Sequence, residues 1–256
     1  PYRCIFCSSS LLCGKFWRPH SAERMFDEIK YQVDKFKVNT IEVVDDNFIL
    51  NKKRALEIAN MLIKEKLDVK FHFGGRVDNV NRELLSNLRK AGFDLIYYGI
   101  ESANQDILDY YQKGINVSQI IDAVKLTKEC GIHATAGMIF CHKDTRRSIM
   151  KDLSLCLNLG VEAATFALII PLPGTPVYYL EKEKILSYDW YKYDGTNVLI
   201  RPEHMSEKEM QLWQVFCTLV LHLGPQAVYE NPEMFKRLLK FSGKVVLGQI
   251  KEKISF

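Results

Sequence analysis

Between residues 38 and 186 the chain alternates short β-like runs with amphipathic helical stretches, and this alternation restricts its fold more than any other feature. The β-like runs are residues 38–44, 69–73, 95–99, 133–139 and 164–170. The stretches between them, 51–64, 82–91, 118–130 and 146–159, return a core-facing side chain every three or four positions, as Ala55, Ile58 and Leu62 do in the first and Ile149, Leu153 and Cys156 in the last. That is the period of a helix lying on one face of a sheet. Residues 22–36 repeat the pattern earlier, with Met25, Phe26, Ile29, Val33 and Phe36. Strands joined by crossover helices run parallel with right-handed connections. Five strands fall short of an eight-stranded barrel and predict a partial barrel or an open doubly wound sheet.

Past residue 187 the pattern changes. Tyr188, Trp190, Tyr191 and Tyr193 lie in an aromatic-rich connection that turns at Asp194-Gly195. Ser206-Glu207-Lys208-Glu209 reads as a capping box opening a helix that Gly224-Pro225 closes. Asn231-Pro232 then caps another helix, whose Lys236, Arg237 and Lys240 form a solvated face. The net charge of +4 is spread along the chain, so no nucleic-acid partner is expected. The longest apolar run, residues 163–173, is about half of what spans a bilayer, so no membrane span is expected. The chain opens on Pro1-Tyr2-Arg3-Cys4, with neither Met nor a secretory signal, which reads as a trimmed or processed start.

Seven cysteines, an odd number without a signal peptide, argue against a disulfide framework. Cys130, Cys141, Cys156 and Cys217 sit singly in apolar or helical context, as small buried hydrophobes do. Cys4 and Cys7 differ, forming C-x-x-C in an aromatic loop with Cys13 six residues later. A redox dithiol, half a zinc site and part of an iron–sulfur site all fit that spacing. A zinc site needs a second Cys/His pair, and His20 has no such companion.

Parallel α/β folds build their sites at the C-terminal ends of the strands. After the five runs come Asp45-Asp46-Asn47-Phe48, Gly75-Arg76-Val77-Asp78, Gly99-Ile100-Glu101-Ser102, Cys141-His142 and Pro171-Leu172-Pro173-Gly174-Thr175-Pro176. Each has a plainer reading. Asp45 and Asp46 suit the start of a helix, Arg76 and Glu101 are placed to pair with each other, and His142 suits the lining of a loop. Tyr97, Tyr98, Tyr110 and Tyr111 read as core or surface aromatics. Five polar or Gly/Pro-rich loops reaching one rim nevertheless describe a site.

With these residues on the page, the chain resembles the radical S-adenosylmethionine (radical SAM) superfamily, whose motif is C-x-x-x-C-x-x-C with an aromatic before the last cysteine. Pro1-Tyr2-Arg3-Cys4-Ile5-Phe6-Cys7-Ser8 matches it once a cysteine stands directly before Pro1. The rim segments above extend the resemblance. Residues 190–195 and the following Met205-Ser206 are similar to the cobalamin-binding branch. The resemblance implies an α/β fold, a partial (β/α)6 TIM-like barrel of parallel strands with a C-terminal helical extension. Residues 1–186 would be the radical SAM core, its first strand and first cluster cysteine lying upstream, and 187–256 the extension.

The same resemblance implies a [4Fe–4S] cluster on Cys4 and Cys7, and S-adenosylmethionine surrounded by Phe6, Asp46, Arg76 and Glu101. Cobalamin would come from a domain ahead of the barrel. Thiolates suit such clusters, and an open iron takes the amino and carboxylate groups of S-adenosylmethionine. An electron passed to the sulfonium gives a 5′-deoxyadenosyl radical; the protein supplies position and a dry cavity. With two of three cysteines, the chain as written is expected to assemble the cluster poorly. The implied reaction is cobalamin-dependent C-methylation or a related rearrangement of a small-molecule or lipid precursor, served by an electron donor such as flavodoxin or ferredoxin in a reducing cytoplasm. The competing readings are a methylthiotransferase-like enzyme acting on RNA or protein, and a domain that binds a nucleotide without a cluster. The first calls for a small β-domain after the barrel, where this sequence reads as helical. No residue is singled out as catalytic.

Overall fold

Five parallel strands, β1 (Thr40–Val43), β2 (Lys70–Gly75), β3 (Phe93–Glu101), β4 (His133–Phe140) and β5 (Ala163–Leu168), form one sheet in the computed structural model, which describes residues 2–14 and 16–230. They lie side by side in chain order, β1-β2-β3-β4-β5, and curl into a half-barrel. The described residues hold five of the six strands expected of the barrel.

Helices α1 (Ser9–Leu12) and α2 (Ala22–Phe36) precede the sheet. The crossovers are α3 (Lys52–Glu65), α4 (Arg82–Lys90), the pair α5 (Gln105–Tyr110) and α6 (Val117–Glu129), and α7 (Arg146–Leu159). Their boundaries are set by short polar side chains. Asn51, Asn81, Asn116 and Thr145 each accept the backbone N–H three residues on, which satisfies a donor the first helical turn leaves free. Lys37, Lys66 and Gly160 end their helices in the left-handed conformation.

The covered face of the sheet carries Phe71 and Phe73 on β2, Ile96 and Tyr98 on β3, and Ala134, Ala136 and Met138 on β4. Against it pack the helix stripes Ala55–Ile58–Leu62, Leu84–Leu88 and Ile149–Leu153–Cys156. Burial of one such Leu or Ile contributes about 1.5–3 kcal/mol, which is why the apolar period reports the fold. The opposite face is different in kind. Gly74, Tyr97, Gly99, Thr135, Gly137 and Thr165 share it through the strand register, and most of it stays open.

After β5 the chain forms α8 (Pro176–Leu180) and two 3-10 turns, and an antiparallel bridge between Ile185 and Ile200 closes the aromatic excursion. Helix α9 (Glu207–Glu230) begins where Ser206 accepts the Glu209 N–H at 3.2 Å, and packs on β5. Gly224 (φ 81, ψ 152) breaks it without ending it, because residues 225–230 return to helix. The expected helix after Asn231-Pro232, with Lys236, Arg237 and Lys240, lies outside the described residues. Among the described residues no helix is long and apolar enough to cross a membrane.

Candidate functional site

The loop Cys4-Ile5-Phe6-Cys7 is held at the C-terminal rim of the sheet by its middle. The Ile5 N–H donates to the Tyr111 carbonyl at 3.0 Å, and the Ile5 carbonyl accepts the Val177 N–H at 3.0 Å. The Ile5 side chain is buried in a satellite core with Tyr111, Cys141, Ile169 and Val177. A Cys7 N–H to Cys4 carbonyl bond of 3.2 Å closes the turn that carries both cysteines. Phe6 meets Tyr111 edge to face at 5.0 Å. Just ahead of the loop, the Tyr2 hydroxyl donates to Asn79 Oδ1 at 2.9 Å and its ring lies 3.7 Å from the Arg76 guanidinium.

Charge gathers beside Cys4. Arg76 forks onto Asp78 at 2.9 and 3.0 Å and donates to the Lys113 carbonyl at 2.8 Å. Lys113 Nζ donates to Glu101 Oε1 at 2.6 Å, with both side chains about 8% exposed. The expected Arg76–Glu101 pairing does not form, since each residue has a nearer partner. Burial would lower the Arg76 pKa, but the Asp78 fork outweighs it and holds the guanidinium above its usual range. Burial pushes the Cys4 thiol up, and the Lys113 and Arg76 cations offset part of that rise.

Glu101 adopts a left-handed backbone (φ 67) where β3 bulges against β4. For a residue with a Cβ this costs roughly 1–2 kcal/mol. The bulge folds its carboxylate back over Gly99. A Cβ at Gly99 would sit 2.6 Å from Glu101 Oε1 and 2.9 Å from Lys113 Nζ, so the buried pair needs glycine there. One strand away, a Cβ at Gly137 would overlap the Tyr97 hydroxyl, which lies across it. Burial, with Glu101 adding to it, raises the Tyr97 phenol, so the group stays protonated.

Of the residues the sequence singles out, Cys4, Arg76 and Glu101 come together, and Phe6 and Cys7 flank them on the same loop. Asp46 does not join them: it is exposed on the loop after β1, and no hydrogen bond or ion pair holds it among the described residues. The backbone carbonyls of Asp45 and Asp46 lie over Gly74 instead. His142 is fully buried after β4, 3.3 Å from Glu181 Oε1 and 3.7 Å from Glu203 Oε1, with Nε2 unaligned for a hydrogen bond; burial lowers its pKa. Tyr110 packs on its ring and donates to the same Glu181 oxygen at 2.8 Å. Lys113 went unread because it lies in a loop with no period. Asp152 carried a signal, being an acid on the apolar stripe of α7.

Cys4 and Cys7 offer two soft thiolates at iron–sulfur spacing beside cationic groups, which fits part of a cluster's ligand set. Among the described residues no third Cys, His or carboxylate completes a group able to hold a metal ion, and Cys13 is exposed and apart.

A methyltransferase of Pyrococcus horikoshii, itself uncharacterized, is 35% identical over 234 residues, 90% of this chain and 51% of that protein. The anaerobic magnesium-protoporphyrin IX monomethyl ester cyclase of Cereibacter sphaeroides is 27% identical over 218 residues, 82% of this chain and 35% of that one. The chain thus spans about half or less of these relatives. In fold it is similar to the radical S-adenosylmethionine methyltransferase TsrM of Kitasatospora setae, solved with cobalamin and a [4Fe-4S] cluster, at a TM-score of 0.66 and 17% identity over 71% of this chain and 35% of that one. Residues 1–156, more than half the chain and the part that holds the Cys4–Cys7 loop, Arg76 and Glu101, match the profile of the Radical SAM superfamily, and to that superfamily of enzymes the chain belongs.

Proposed function

We propose that the protein containing this chain binds a [4Fe–4S] cluster and S-adenosylmethionine at the Cys4–Cys7 rim, and performs cobalamin-dependent methyl transfer to carbon, or a related ring closure, on a small-molecule or lipid precursor. The observation that carries the reading is the convergence of Cys4, Arg76, Lys113 and Glu101 at one end of the half-barrel. When bound, the cluster supplies the electron that cleaves a carbon–sulfur bond of S-adenosylmethionine. Cys4 and Cys7 hold two of the irons, and a cysteine directly before Pro1 provides the third thiolate. Glu101 and Lys113 offer an acid and a cation to a ligand that carries an ammonium, a sulfonium and a carboxylate. Arg76, already committed to Asp78, Lys113 and Tyr2, fixes the floor beneath them, while Phe6 flanks the adenine and Asp46 closes the rim from the β1 side. Relatives named as a methyltransferase and a cyclase support the two outcomes. Flavodoxin or ferredoxin in the cytoplasm supplies the electron, and a further domain supplies cobalamin.

The test is anaerobic reconstitution of the full-length protein with iron and sulfide, then incubation with reductant and S-adenosylmethionine. About four irons per chain and 5′-deoxyadenosine are expected. S-adenosylhomocysteine appearing with added cobalamin and substrate marks methyl transfer; its absence alongside substrate-dependent 5′-deoxyadenosine marks ring closure. A wild-type protein that holds no iron and releases no 5′-deoxyadenosine overturns the reading.

A further inference from the structure

Asp152 is fully buried on α7, among Ile149, Leu153 and Cys156, and none of its hydrogen bonds among the described residues reaches Cys4, Arg76, Glu101 or Lys113. Its Oδ1 collects three donors from the turn after β3: Ser102 Oγ at 3.0 Å, the Ala103 N–H at 2.6 Å and Asn104 Nδ2 at 3.1 Å. Its Oδ2 has no partner. The same turn is bolted to α7 a second time, where Asn104 Nδ2 donates to the Ser148 carbonyl at 3.0 Å. Ser102 is the residue after Glu101, and its N–H bonds back to Ile100 at 2.9 Å, closing the turn in which Glu101 holds φ 67.

A left-handed residue persists when its surroundings over-determine it. Beside the β4 register and the Lys113 bond to its carboxylate, the turn that follows Glu101 is fixed at Ser102, Ala103 and Asn104, and all three lead to one carboxylate oxygen. A half-satisfied buried acid on an apolar helix stripe is a poor choice for packing alone, and an unpartnered buried oxygen in a folded chain asks for a reason. Aiming Glu101 provides one. We infer that Asp152 is a positioning residue, which locks the 102–104 turn so that Glu101 faces the rim, and thereby sets the affinity for S-adenosylmethionine. The inference rests on the reading that Glu101 meets that ligand.

Burial among apolar groups, with Asp144 nearby, holds the Asp152 carboxyl well above the usual range, so asparagine matches its protonated shape and keeps the acceptor oxygen. Equilibrium binding of S-adenosylmethionine to the cluster-loaded, unreduced full-length protein, where no turnover occurs, separates the possibilities. Asp152→Ala is expected to weaken binding about tenfold, Asp152→Asn less than about threefold, and Glu101→Gln about tenfold by itself. On the Glu101→Gln background Asp152→Ala is expected to add almost nothing, because its effect passes through the Glu101 carboxylate. Ser102→Ala, which removes one donor without emptying the acid's site, is expected to behave alike at smaller size and serves if Asp152→Ala does not fold. An undiminished Asp152→Ala or Ser102→Ala effect on the Glu101→Gln background overturns the positioning role, as does wild-type affinity in both variants. Unchanged affinity in Glu101→Gln overturns the ligand assignment of Glu101 and the inference with it, and a wild-type protein that loads its cluster yet binds no S-adenosylmethionine overturns the functional reading as well.

Discussion

At position 137 one methyl group decides what the half-barrel can contain. Gly137 has no Cβ, and the Tyr97 ring occupies the space that one would fill. Gly137→Ala is expected to cost about 1–3 kcal/mol, the usual range for an overfilled site. The same substitution on a Tyr97→Ala background should cost much less, because the collision is gone. Urea unfolding of the four proteins gives the comparison, and an equal penalty on both backgrounds would exclude Tyr97 as the cause. Glu101 and Lys113 are the other pair fixed at this scale. With both side chains about 8% exposed, removing either leaves a buried charge without its partner, a change that costs about 3–5 kcal/mol. Such pairings were beyond the sequence. Lys113 and Glu101 are twelve positions apart across a bulge and a short helix, and no period links them.

Helix α7 shows how much of an element is legible and where legibility stops. Its span was read as residues 146–159 and is Arg146–Leu159, because Ile149, Leu153 and Cys156 mark its buried face and Thr145 with Ser148 caps it. The strands were read within a few residues for the same reason. Helices α5 and α8 were not, being too short to show a period. The rim loops were legible as a set, because they follow the strands. Their internal partners were not, because these depend on which side chains the loops bring together. Just before α7, buried Asp144 accepts the Cys141 N–H at 2.7 Å and the Ser148 hydroxyl at 2.6 Å. Burial raises its pKa to about 6, from an ordinary 3.8. A raised folded-state value means that the stabilising contribution is whole below about pH 4 and is lost as the pH rises through about 6. Asp144→Asn removes the titration while keeping the shape. Its denaturation midpoint relative to wild type is therefore expected to climb between about pH 4 and pH 7; a constant offset would place the proton elsewhere.

Across the whole chain, each strand pairs with its neighbour in sequence, so the sheet is assembled from successive, fairly local closures. The functional rim is built the opposite way. Apart from the bond that closes its own turn, the Cys4–Cys7 loop has no backbone partner near it in sequence among the described residues. Its two backbone bonds to the rest of the described chain reach Tyr111 and Val177, the second lying beyond β5. Local closures form early and distant ones late, since loop entropy must be met first. The cysteine loop is thus the final piece to dock, arriving after the scaffold that receives it is complete. On a ribosome, Cys4 and Cys7 emerge ahead of the sheet that holds them, and their thiols stay open to oxidants and stray metals until residue 177 is in place. Pulsed alkylation during refolding should therefore find Cys141 and Cys156 protected first, with Cys4 and Cys7 still taking label. Simultaneous protection would mean that the rim and the sheet form together. A protein built in this order exposes its most oxidisable atoms before the scaffold that shelters them is complete, so its yield in air is expected to depend on how fast the loop docks as well as on the stability of the finished fold.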